Sequence, residues 1–499
     1  MASIKKVLIA NRGEIAVRVI RSCREKGIET VSVYSTPDKT APHVLAADES
    51  YHIGEAASSE SYLKMEKIIE VAKESGADAI HPGYGFLSEN STFANLCEEN
   101  NINFIGPTAY AIEMMGDKTK ARELMAKTDV PFPPGTESAM EDIQEAKTIA
   151  KEIGYPVLIK AAAGGGGKGM RIVHNEDLFE SSVKAAKSEA RSAFGDDRVF
   201  VEKYLEEPRH IEFQVFADMH GNVVHMFERE CSVQRRHQKV IEEAPSAIMT
   251  DELRKQMGDA ACTVAKSCNY VGAGTVEFLV DKYMNFYFLE MNTRLQVEHP
   301  VTELITGLDL VSLQIDVAEG KELPFKQEDI KKRGHAVECR IYAEDPSNKF
   351  LPSTGTLHRH RIPAGPGIRV DAGIEEGQDV SIYYDPMISK LCTFANDREK
   401  AIDRMLRALD EYEISGVRTT IPFCQFTLKH EKFREGQYDT HFVPDHFTPD
   451  NISDFTDKKL AAIVSSVLRF RDEQSSTKSK PSGTVIEESV WWKKRKAVQ

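Results

Sequence analysis

Two neighbouring segments with alternating apolar and polar residues constrain the fold of this chain more than any other feature. Thr275–Asp281 and the segment that starts at Phe286 alternate in this way, and only the polar residues 282–285 separate them. The pattern predicts an antiparallel hairpin. If Glu277 lies opposite Glu290, their Cβ atoms are about 5 Å apart, and both carboxylates stay charged only beside a cation. Oxygen ligands of this kind favour Mg²⁺ or Mn²⁺, so the sequence predicts a metal site on the hairpin.

The second segment continues as far as Pro300 with a polar residue at every second position. Because successive side chains of an extended chain point to opposite faces, these residues line one face of the predicted strand: Glu290, Asn292, Arg294, Gln296 and Glu298. The alternative is a solvated hairpin face with ordinary acidic residues. A shift of one residue in the pairing favours that alternative, because it turns Glu277 away from Glu290.

Length and composition exclude several classes of protein. At 499 residues the chain exceeds a single compact core, and about 150 residues per domain predicts three domains. The net charge of −14 argues against a general binder of nucleic acids or membrane surfaces, which needs a basic excess. The start of the chain is typical of neither a signal peptide nor a membrane span. Eight scattered cysteines without a Cys-x-x-Cys pair indicate reduced, mostly buried thiols of a cytoplasmic protein.

Strand-like and helix-like segments alternate along residues 1–105, which predicts a parallel sheet with helices on its faces. The predicted strands are 6–10, 30–34 and 77–80, and the predicted helices are 13–26 and 62–75. The first turn, Asn11–Glu14, lacks the three-glycine spacing of dinucleotide sites, so we expect this fold without that cofactor. The loop His81–Glu89 follows a strand directly. Glycines around Tyr84 favour a ligand-facing loop, although an ordinary turn explains them equally well.

The most glycine-rich stretch, Gly164–Gly169, lies between the predicted strands 155–160 and 170–173. It is neither a dinucleotide motif nor a Walker loop, because no helix follows it and no Ser or Thr follows Lys168. A strand, glycine loop and strand favour a lid that closes over phosphates with backbone N–H groups and Lys168, while Lys160 supplies a fixed charge. The alternative is a plain flexible hairpin tip.

Two further strands are predicted after the lid. Val199–Leu205 leads out of it, and in nucleotide-binding lids such an edge offers backbone groups and a pair like Glu202–Lys203 to an adenine and ribose. His210–Ala217 alternates strictly, so His210, Glu212 and Gln214 share one face.

A polar and basic run lies within residues 228–239, and these members are close together: Gln234, Arg235, Arg236, His237 and Lys239. In an acidic protein such a run is a candidate anion site, and a solvated charge run is the alternative. Residues 335–344 alternate again, with Val337, Cys339 and Ile341 on the core face. Arg340 lies on the other face, where a buried arginine is costly without an anionic partner.

The composition changes after about residue 450. A possible helix over 457–471 leads into the polar, linker-like run 473–483. The end, 489–496, holds both tryptophans of the chain beside basic residues. Docking on a partner and a frayed end are both consistent with this tail.

Over about residues 4–447 these stretches resemble the biotin carboxylase component of biotin-dependent carboxylases, a branch of the ATP-grasp family. The motifs of the resemblance are Ala10–Ala16, His81–Glu89, Lys160 with its glycine loop, Glu202–Leu205, Pro208–Glu212, Glu230–Lys239 and Glu290–Pro300. The resemblance implies a mixed α/β and α+β fold of three domains, with a helical connector and a tail. These are an N-terminal parallel α/β domain (1–105), a helical connector (106–132), an ATP-grasp lid (133–204), a C-terminal ATP-grasp domain (205–450) and a tail (451–499). ATP would lie between lid and C-terminal domain.

The resemblance also implies roles for individual residues. The ATP contacts would be Lys118, Lys160, Gly165, Gly166, Gly167, Met170, Glu202, Lys203, Leu205, His210, Gln234, His237, Glu277, Leu279 and Glu290. Glu277 and Glu290 would bind Mg²⁺ or Mn²⁺ with Asn292 nearby. Lys239, Arg294, Gln296 and Val297 would form the bicarbonate pocket, with Glu298 as the base. Arg340 would face the biotin ureido oxygen, and Tyr84 would lie beside the biotin ring.

The implied reaction is ATP- and bicarbonate-dependent carboxylation of biotin through carboxyphosphate. Because no Ala-Met-Lys-Met acceptor motif occurs, we expect a subunit that acts with a separate biotin carboxyl carrier protein and a carboxyltransferase subunit. The resemblance implies a homodimer, which would involve Arg21, Glu25 and Arg369. Two alternatives remain: another ATP-grasp ligase, forming an amide or carbamoyl phosphate, and a regulatory or scaffold subunit that binds nucleotide without turnover. Neither the final carboxyl acceptor nor the role of the tail follows from the sequence.

Overall fold

The structure is a computed structural model, and it describes residues 3–136, 140, 142–161, 170–452 and 462–471. The chain divides after Phe447 into two compact units. In the second unit residues 462–471 are helical, whereas the first residues of the predicted helix and the predicted linker lie outside the described residues. None of the helices in the described part of the chain is long and apolar enough to cross a bilayer.

All eight cysteines are unpaired and all except the half-buried Cys262 are buried, which confirms that they are mostly buried thiols.

The first unit begins with a parallel sheet, as the alternation of strands and helices predicts. Its elements are β1 (Lys6–Ile9), α1 (Gly13–Glu25), β2 (Glu29–Ser35), α2 (Pro42–Ala46), β3 (Glu49–Gly54), α3 (Met65–Ser75), β4 (Ala79–His81), α4 (Ser91–Glu99) and β5 (Asn103–Phe104). The strand order is β3-β2-β1-β4-β5, so β2 and β4 flank β1 on opposite sides. The order reverses at this point, and a crevice forms outside the carboxyl ends of β1 and β4, where ligands of such sheets bind.

The next elements form a small antiparallel sheet with two helices packed on it. They are preceded by α5 (Ala109–Gly116) and α6 (Lys118–Met125) and comprise α7 (Ile143–Ile153), β6 (Val157–Ala161), β7 (Arg171–Val173), α8 (Phe179–Phe194) and β8 (Val199–Lys203). The strand order is β7-β6-β8. Ile159 and Val201 pack with Ala146 and Val183 in its core. The two predicted strands are thus confirmed as β6 and β7, while the glycine loop between them lies outside the described residues.

The described residues of the rest of the first unit form an eight-stranded antiparallel sheet, three two-stranded sheets and several helices. Its first part comprises β9 (Arg209–Ala217), β10 (Val223–Arg235), β11 (Gln238–Ala244), α9 (Asp251–Ser267), β12 (Gly272–Val280), β13 (Phe286–Asn292), α10 (His299–Thr306), α11 (Leu310–Ala318) and β14 (His335–Tyr342). The remainder comprises β15 (Glu344–Asp345), β16 (Leu351–Pro352), β17 (Gly355–Thr356), β18 (Arg359–Arg361), β19 (Ile368–Ala372), β20 (Asp379–Val380), β21 (Met387–Ala395), α12 (Arg398–Glu411), β22 (Glu413–Ser415), α13 (Ile421–Lys429), α14 (Glu431–Arg434) and α15 (Phe442–His446). The strand order of the eight-stranded sheet is β13-β12-β9-β10-β11-β14-β21-β19, and the two-stranded sheets are β15-β16, β17-β20 and β18-β22. The three-domain division and its limits stay a prediction.

A β-bulge in β11 decides which side chains of this strand share a face. Val233 pairs with Ile241 and the next residue, Gln234, pairs with Lys239, so Val240 is an extra residue. A bulge of this kind shifts the alternation by one position. Lys239 consequently lies on the same face of the sheet as Glu242, which a regular strand does not allow.

Glu243 joins β11 to the C-terminal helices. It is 1% exposed, and it accepts hydrogen bonds from Arg398 Nε at 2.7 Å, His335 Nε2 at 2.7 Å and the Tyr438 hydroxyl at 2.5 Å. Burial opposes its ionisation, but the attraction of Arg398 and the hydrogen bond from His335 outweigh burial and lower the pKa of Glu243 to about 2. The ionised carboxylate therefore stabilises the folded state.

We expect Glu243→Gln to lower the free energy of unfolding by about 3 kcal/mol near neutral pH, because a pKa of about 2 instead of 4.5 stabilises the ionised form. A depressed folded-state pKa contributes stability above the unfolded value and loses it as the pH falls. The difference from the wild type should therefore be constant down to about pH 4.5 and shrink below it. Urea unfolding at a series of pH values tests this, and a difference that grows in acid contradicts it.

Candidate active site

The β12–β13 hairpin has the predicted register, with Glu277 directly opposite Glu290. Glu277 is 4% exposed and Glu290 is exposed. Asn292 donates from Nδ2 to Glu277 Oε1 at 2.9 Å. These three residues offer carboxylate and amide oxygens, which is the ligand chemistry that Mg²⁺ and Mn²⁺ prefer.

The prediction that the strand continues through Glu298 is wrong, because β13 ends at Asn292. The chain turns into α10 at His299, and Pro300 in the first helical turn has no N–H to offer a strand ladder. The side chains of residues 293–298 therefore follow a loop, and the predicted common face of these residues does not exist. Gln296 and Glu298 nevertheless approach the hairpin carboxylates through this loop.

Lys239 lies at the centre of three buried carboxylates, Glu212, Glu277 and Glu298, which we call the Lys239 cluster. Its ammonium is 2.9 Å from Glu277 Oε1 and 2.7 Å from Glu298 Oε1, and it also contacts Glu212. Burial opposes the charge, but the attraction of the three carboxylates outweighs burial and holds the pKa of Lys239 well above its ordinary value. The cation beside Glu277 in this structure is therefore a lysine ammonium.

Arg229 lies on the buried side of the Lys239 cluster and is 0% exposed. Its Nε donates to Glu212 at 2.5 Å, and NH2 donates to Gln296 Oε1 at 2.8 Å. The remaining acceptors are Gln214 at 2.8 Å, Thr302 at 3.0 Å and Thr275 at 3.0 Å. Gln296 in turn donates to Glu277 Oε1 at 2.8 Å, so the loop after β13 is fixed to the sheet by hydrogen-bonded side chains.

Arg340 has the anionic partners that its position in mid-sheet requires. Its Nε donates to Glu242 Oε1 at 2.6 Å and its NH2 donates to Glu298 Oε2 at 3.0 Å. Glu298 is therefore held between Lys239 and Arg340. Burial opposes ionisation of this carboxyl, but the two cations outweigh burial and hold the pKa of Glu298 far below its ordinary range.

Arg294 extends toward the N-terminal sheet instead of joining the Lys239 cluster directly. It donates from Nε to Glu89 Oε2 at 2.8 Å and from NH2 to Asn292 Oδ1 at 3.1 Å. Glu89 also accepts from the Thr293 N–H at 3.0 Å. Glu89, the last residue of the predicted ligand-facing loop, therefore fixes residues 293 and 294 of the segment between the hairpin and Glu298 by hydrogen bonds.

Tyr84 lies at the crevice between β1 and β4. Asn11 donates to the carbonyl of Tyr84 at 2.8 Å, and Glu14 accepts a hydrogen bond from the Tyr84 hydroxyl. Lys390 Nζ lies 5.9 Å from the centre of the Tyr84 ring, 3.1 Å from Glu14 and 2.9 Å from the carbonyl oxygen of Val297. The loop that carries Tyr84 thus meets the residue preceding Glu298 through one buried lysine.

The predicted nucleotide contacts of the lid form a separate group. Lys160 Nζ lies 2.5 Å from Glu202, which also pairs with Arg122 at 2.7 Å. Lys203 donates to the carbonyl of Gly154 at 3.0 Å. Of the other predicted contacts, Met170 and His237 are exposed, Leu205 and Leu279 are half-buried, Lys118 begins α6, and Gly165, Gly166 and Gly167 lie outside the described residues.

The polar run 234–239 is not a single anion site, and that prediction is corrected. It forms the β10–β11 hairpin, with the exposed Arg236 and His237 at its turn. Arg235 pairs with Glu344 at 2.6 Å, whereas Lys239 joins its three carboxylates. Gln234 donates to the His210 ring at 2.7 Å, and His210 lies 2.7 Å from Glu277. The pleat and the bulge send neighbouring basic side chains to opposite faces of the sheet.

Sequence reasoning assigned no role to Glu212, Arg229, Glu242 or Lys390. Glu212 had a signal, because it alternates with His210 on a strand whose face was recognised. Lys390 also had one, since a lone lysine in the apolar strand β21 needs a partner. Arg229 and Glu242 lie among other charged residues, and nothing local distinguishes them.

The first unit combines the small sheet that carries Lys160, the large antiparallel sheet with its paired carboxylates, and the parallel N-terminal sheet. This combination defines an ATP-grasp ligase. Three family models match the chain: "Biotin carboxylase, N-terminal domain" over residues 3–112, "Carbamoyl-phosphate synthase L chain, ATP binding domain" over 117–326 and "Biotin carboxylase C-terminal domain" over 338–445.

Two curated relatives and one solved structure are similar over most of the chain. Biotin carboxylase 1 of Bacillus subtilis is 54% identical over 88% of this chain and 98% of its own length. The methylcrotonoyl-CoA carboxylase subunit alpha of Dictyostelium discoideum is 54% identical over 96% of this chain and 69% of its own. The biotin carboxylase domain dimer of the Hydrogenobacter thermophilus 2-oxoglutarate carboxylase, in complex with MgADP, ADP and bicarbonate, is 51% identical with a TM-score of 0.85, covering 91% of this chain and 99% of that one. The chain belongs to the biotin carboxylase family.

Proposed function

We propose that this chain carboxylates biotin on a carrier protein with ATP and bicarbonate, as the biotin carboxylase subunit of an acyl-CoA or pyruvate carboxylase. The observation that carries the proposal is the position of Glu298, a buried carboxylate between Lys239 and Arg340 next to the hairpin carboxylates. Membership of the biotin carboxylase family supports it, as does the related structure that contains MgADP and bicarbonate.

Glu277 and Glu290, with Asn292, would hold Mg²⁺ or Mn²⁺ on the hairpin, since their oxygens fit such an ion. The bound ion would withdraw charge from the terminal phosphates of ATP. Lys160 and Glu202 would hold the nucleotide from the lid side, together with the predicted contacts on the glycine loop. Lid closure would exclude water from a hydrolysable intermediate.

Glu298 is suited to act as the base that removes the bicarbonate proton. With Lys239 and Arg340 both engaged it is ionised, but its basicity is low. A bicarbonate anion that binds Lys239 and Arg294 competes with Glu298 for positive charge, and this raises the basicity of Glu298 at the moment when a proton is available. The binding of the substrate therefore activates its own base.

The deprotonated bicarbonate oxygen attacks the γ-phosphorus of ATP, which gives carboxyphosphate and ADP. Carboxyphosphate then breaks down to CO₂ and phosphate, and the phosphate accepts the N1′ proton of biotin. N1′ forms the new bond to CO₂. Arg340 would stabilise the negative charge that develops on the ureido oxygen, and Tyr84 would lie beside the biotin ring.

A biotin carboxyl carrier protein and a carboxyltransferase subunit complete the proposed assembly. We also propose a homodimer through α1 and β19. Arg21 and Arg369 converge on Asp371 at 3.8 and 2.7 Å, and the Arg21 side chain is 58% exposed. Two of the relatives carry different acceptors in their names, methylcrotonoyl-CoA and 2-oxoglutarate, so we propose that the carboxyltransferase decides the acceptor.

Phosphate release from ATP in the presence of bicarbonate, with and without free biotin, tests the proposed function. We expect biotin to stimulate the release and carboxybiotin to form in equal amount. A control substitution, Glu206→Gln, replaces an exposed carboxylate that pairs with Lys282. We expect this variant to release phosphate and respond to biotin like the wild type. Release that biotin does not affect favours a different ATP-grasp ligase. No release with intact nucleotide binding favours a regulatory subunit.

A further inference from the structure

Glu242 and Glu338 form a pair of buried carboxyl groups behind Arg340. They are direct cross-strand partners on β11 and β14, and both are 0% exposed. Side chains in such positions have Cβ atoms about 4.5–5.5 Å apart. Two neighbouring carboxylates that are removed from water repel each other, so ionisation of both groups is strongly disfavoured.

Each carboxyl group of the pair has one engaged oxygen and one oxygen without a partner. Glu242 Oε1 accepts from Arg340 Nε at 2.6 Å, and Glu338 Oε2 accepts from Cys392 Sγ at 3.3 Å. Glu242 Oε2 and Glu338 Oε1 are buried and have no hydrogen-bond partner among the described residues. A proton on either of these oxygens turns it into a donor, and the cross-strand position of the two side chains makes the other carboxyl group the nearest candidate acceptor.

The charges around the pair do not replace that proton. The titratable and charged groups around it are Arg340, Lys239 and Lys390, which are cationic, the carboxylate of Glu298, the thiols of Cys231, Cys339 and Cys392, and the phenol of Tyr342. Lys390 is already matched by Glu14 at 3.1 Å, and Lys239 by its own cluster. Burial raises the pKa of Glu242 to about 7 and that of Glu338 well above its ordinary range, although Arg340 and Lys390 oppose this.

We propose that Glu242 and Glu338 share one proton and act together as positioning residues for Arg340, the arginine that contacts Glu298 on its other side. With the shared proton the pair has a single negative charge, which one side of the guanidinium balances. Arg340 NH2 then remains available to Glu298 and to the substrate oxygen. As the pH rises and the proton is lost, a doubly charged pair holds the guanidinium toward the sheet and away from Glu298. The proposal goes beyond the proposed function and relies on it only for the catalytic measurement.

Infrared spectroscopy of the full-length protein tests the shared proton without any activity. At mildly alkaline pH we expect the wild type to absorb as a protonated carboxyl group, and Glu338→Gln to lose the intensity of one such group. In that variant the introduced side-chain amide donates to Glu242, which ionises against Arg340. Glu243→Gln is the matched control, because Glu243 is equally buried but ionised, and it should keep the band. Identical bands in the wild type and Glu338→Gln overturn the shared proton.

The pH dependence of kcat for biotin carboxylation tests the effect on Arg340. Glu338→Gln has no shared proton to lose, so its alkaline decline should move to higher pH by at least about one unit. One unit above the wild-type midpoint the variant should then be about fivefold faster than the wild type. An unchanged alkaline decline overturns the positioning role. If neither protein carboxylates biotin, the proposed function fails while the infrared result still decides whether the proton is shared.

Discussion

Glu298→Gln is expected to lower bicarbonate-dependent phosphate release by about 10²- to 10⁴-fold, the usual contribution of a general base. The amide cannot take up the bicarbonate proton, and it has one acceptor oxygen for the two cations that Glu298 now binds. Lys239 keeps Glu212 and Glu277 as partners, so the cluster should persist. Single-turnover phosphate release measures the loss.

Nucleotide binding is the internal control for this variant. Glu298 contacts Lys239 and Arg340 and no residue of the lid pair Lys160–Glu202, so the affinity for ADP should change less than about threefold. Glu206→Gln again serves as the matched exposed substitution. Full turnover by Glu298→Gln rules out its role as the base. A comparable loss of nucleotide affinity would instead mean that the whole site has been disrupted.

Arg229→Met is expected to lower the free energy of unfolding by about 3–5 kcal/mol, which is the cost of removing one partner from a buried ion pair. Arg229 is fully buried, and the substitution leaves Glu212 with Lys239 as its remaining cationic contact in the cluster. Gln214, Gln296 and Thr275 also lose their donor. Methionine retains most of the volume of the side chain, so the loss reports on charge and hydrogen bonds.

Arg407→Met provides the control for this stability measurement. Arg407 is 43% exposed on α12 and pairs with Glu411 one helical turn away, an arrangement that contributes about 0.3–0.5 kcal/mol. Urea unfolding of both variants at neutral pH should therefore give clearly different midpoints. A loss below about 1 kcal/mol for Arg229→Met would show that the carboxylates of the Lys239 cluster do not depend on this arginine.

Local periodicity was sufficient for several parts of the site. Alternation in two adjacent segments placed Glu277 opposite Glu290, and the register of β12 and β13 confirms it. Alternation also placed Arg340 in the middle of a strand, where a buried arginine requires an anionic partner. The structure provides two such partners, Glu242 and Glu298. The two strands on either side of the glycine loop, β6 and β7, were also predictable. Local pattern failed where the chain left regular structure, since the strand ends at Asn292 and the following polar residues lie on a loop.

The sequence by itself therefore determined several of the strands, among them β1, β6 and β12, which side chains share a face within one regular strand, and the family. Only the tertiary structure decided that Lys239 lies among three carboxylates, that Lys390 connects Tyr84 to Val297, and that Arg294 pairs with Glu89. The physical reason is that periodicity acts over neighbouring residues, whereas these contacts depend on strand order, on one bulge and on packing between elements distant along the chain. A buried charge is stable only with its partner, and the partner is chosen by the fold.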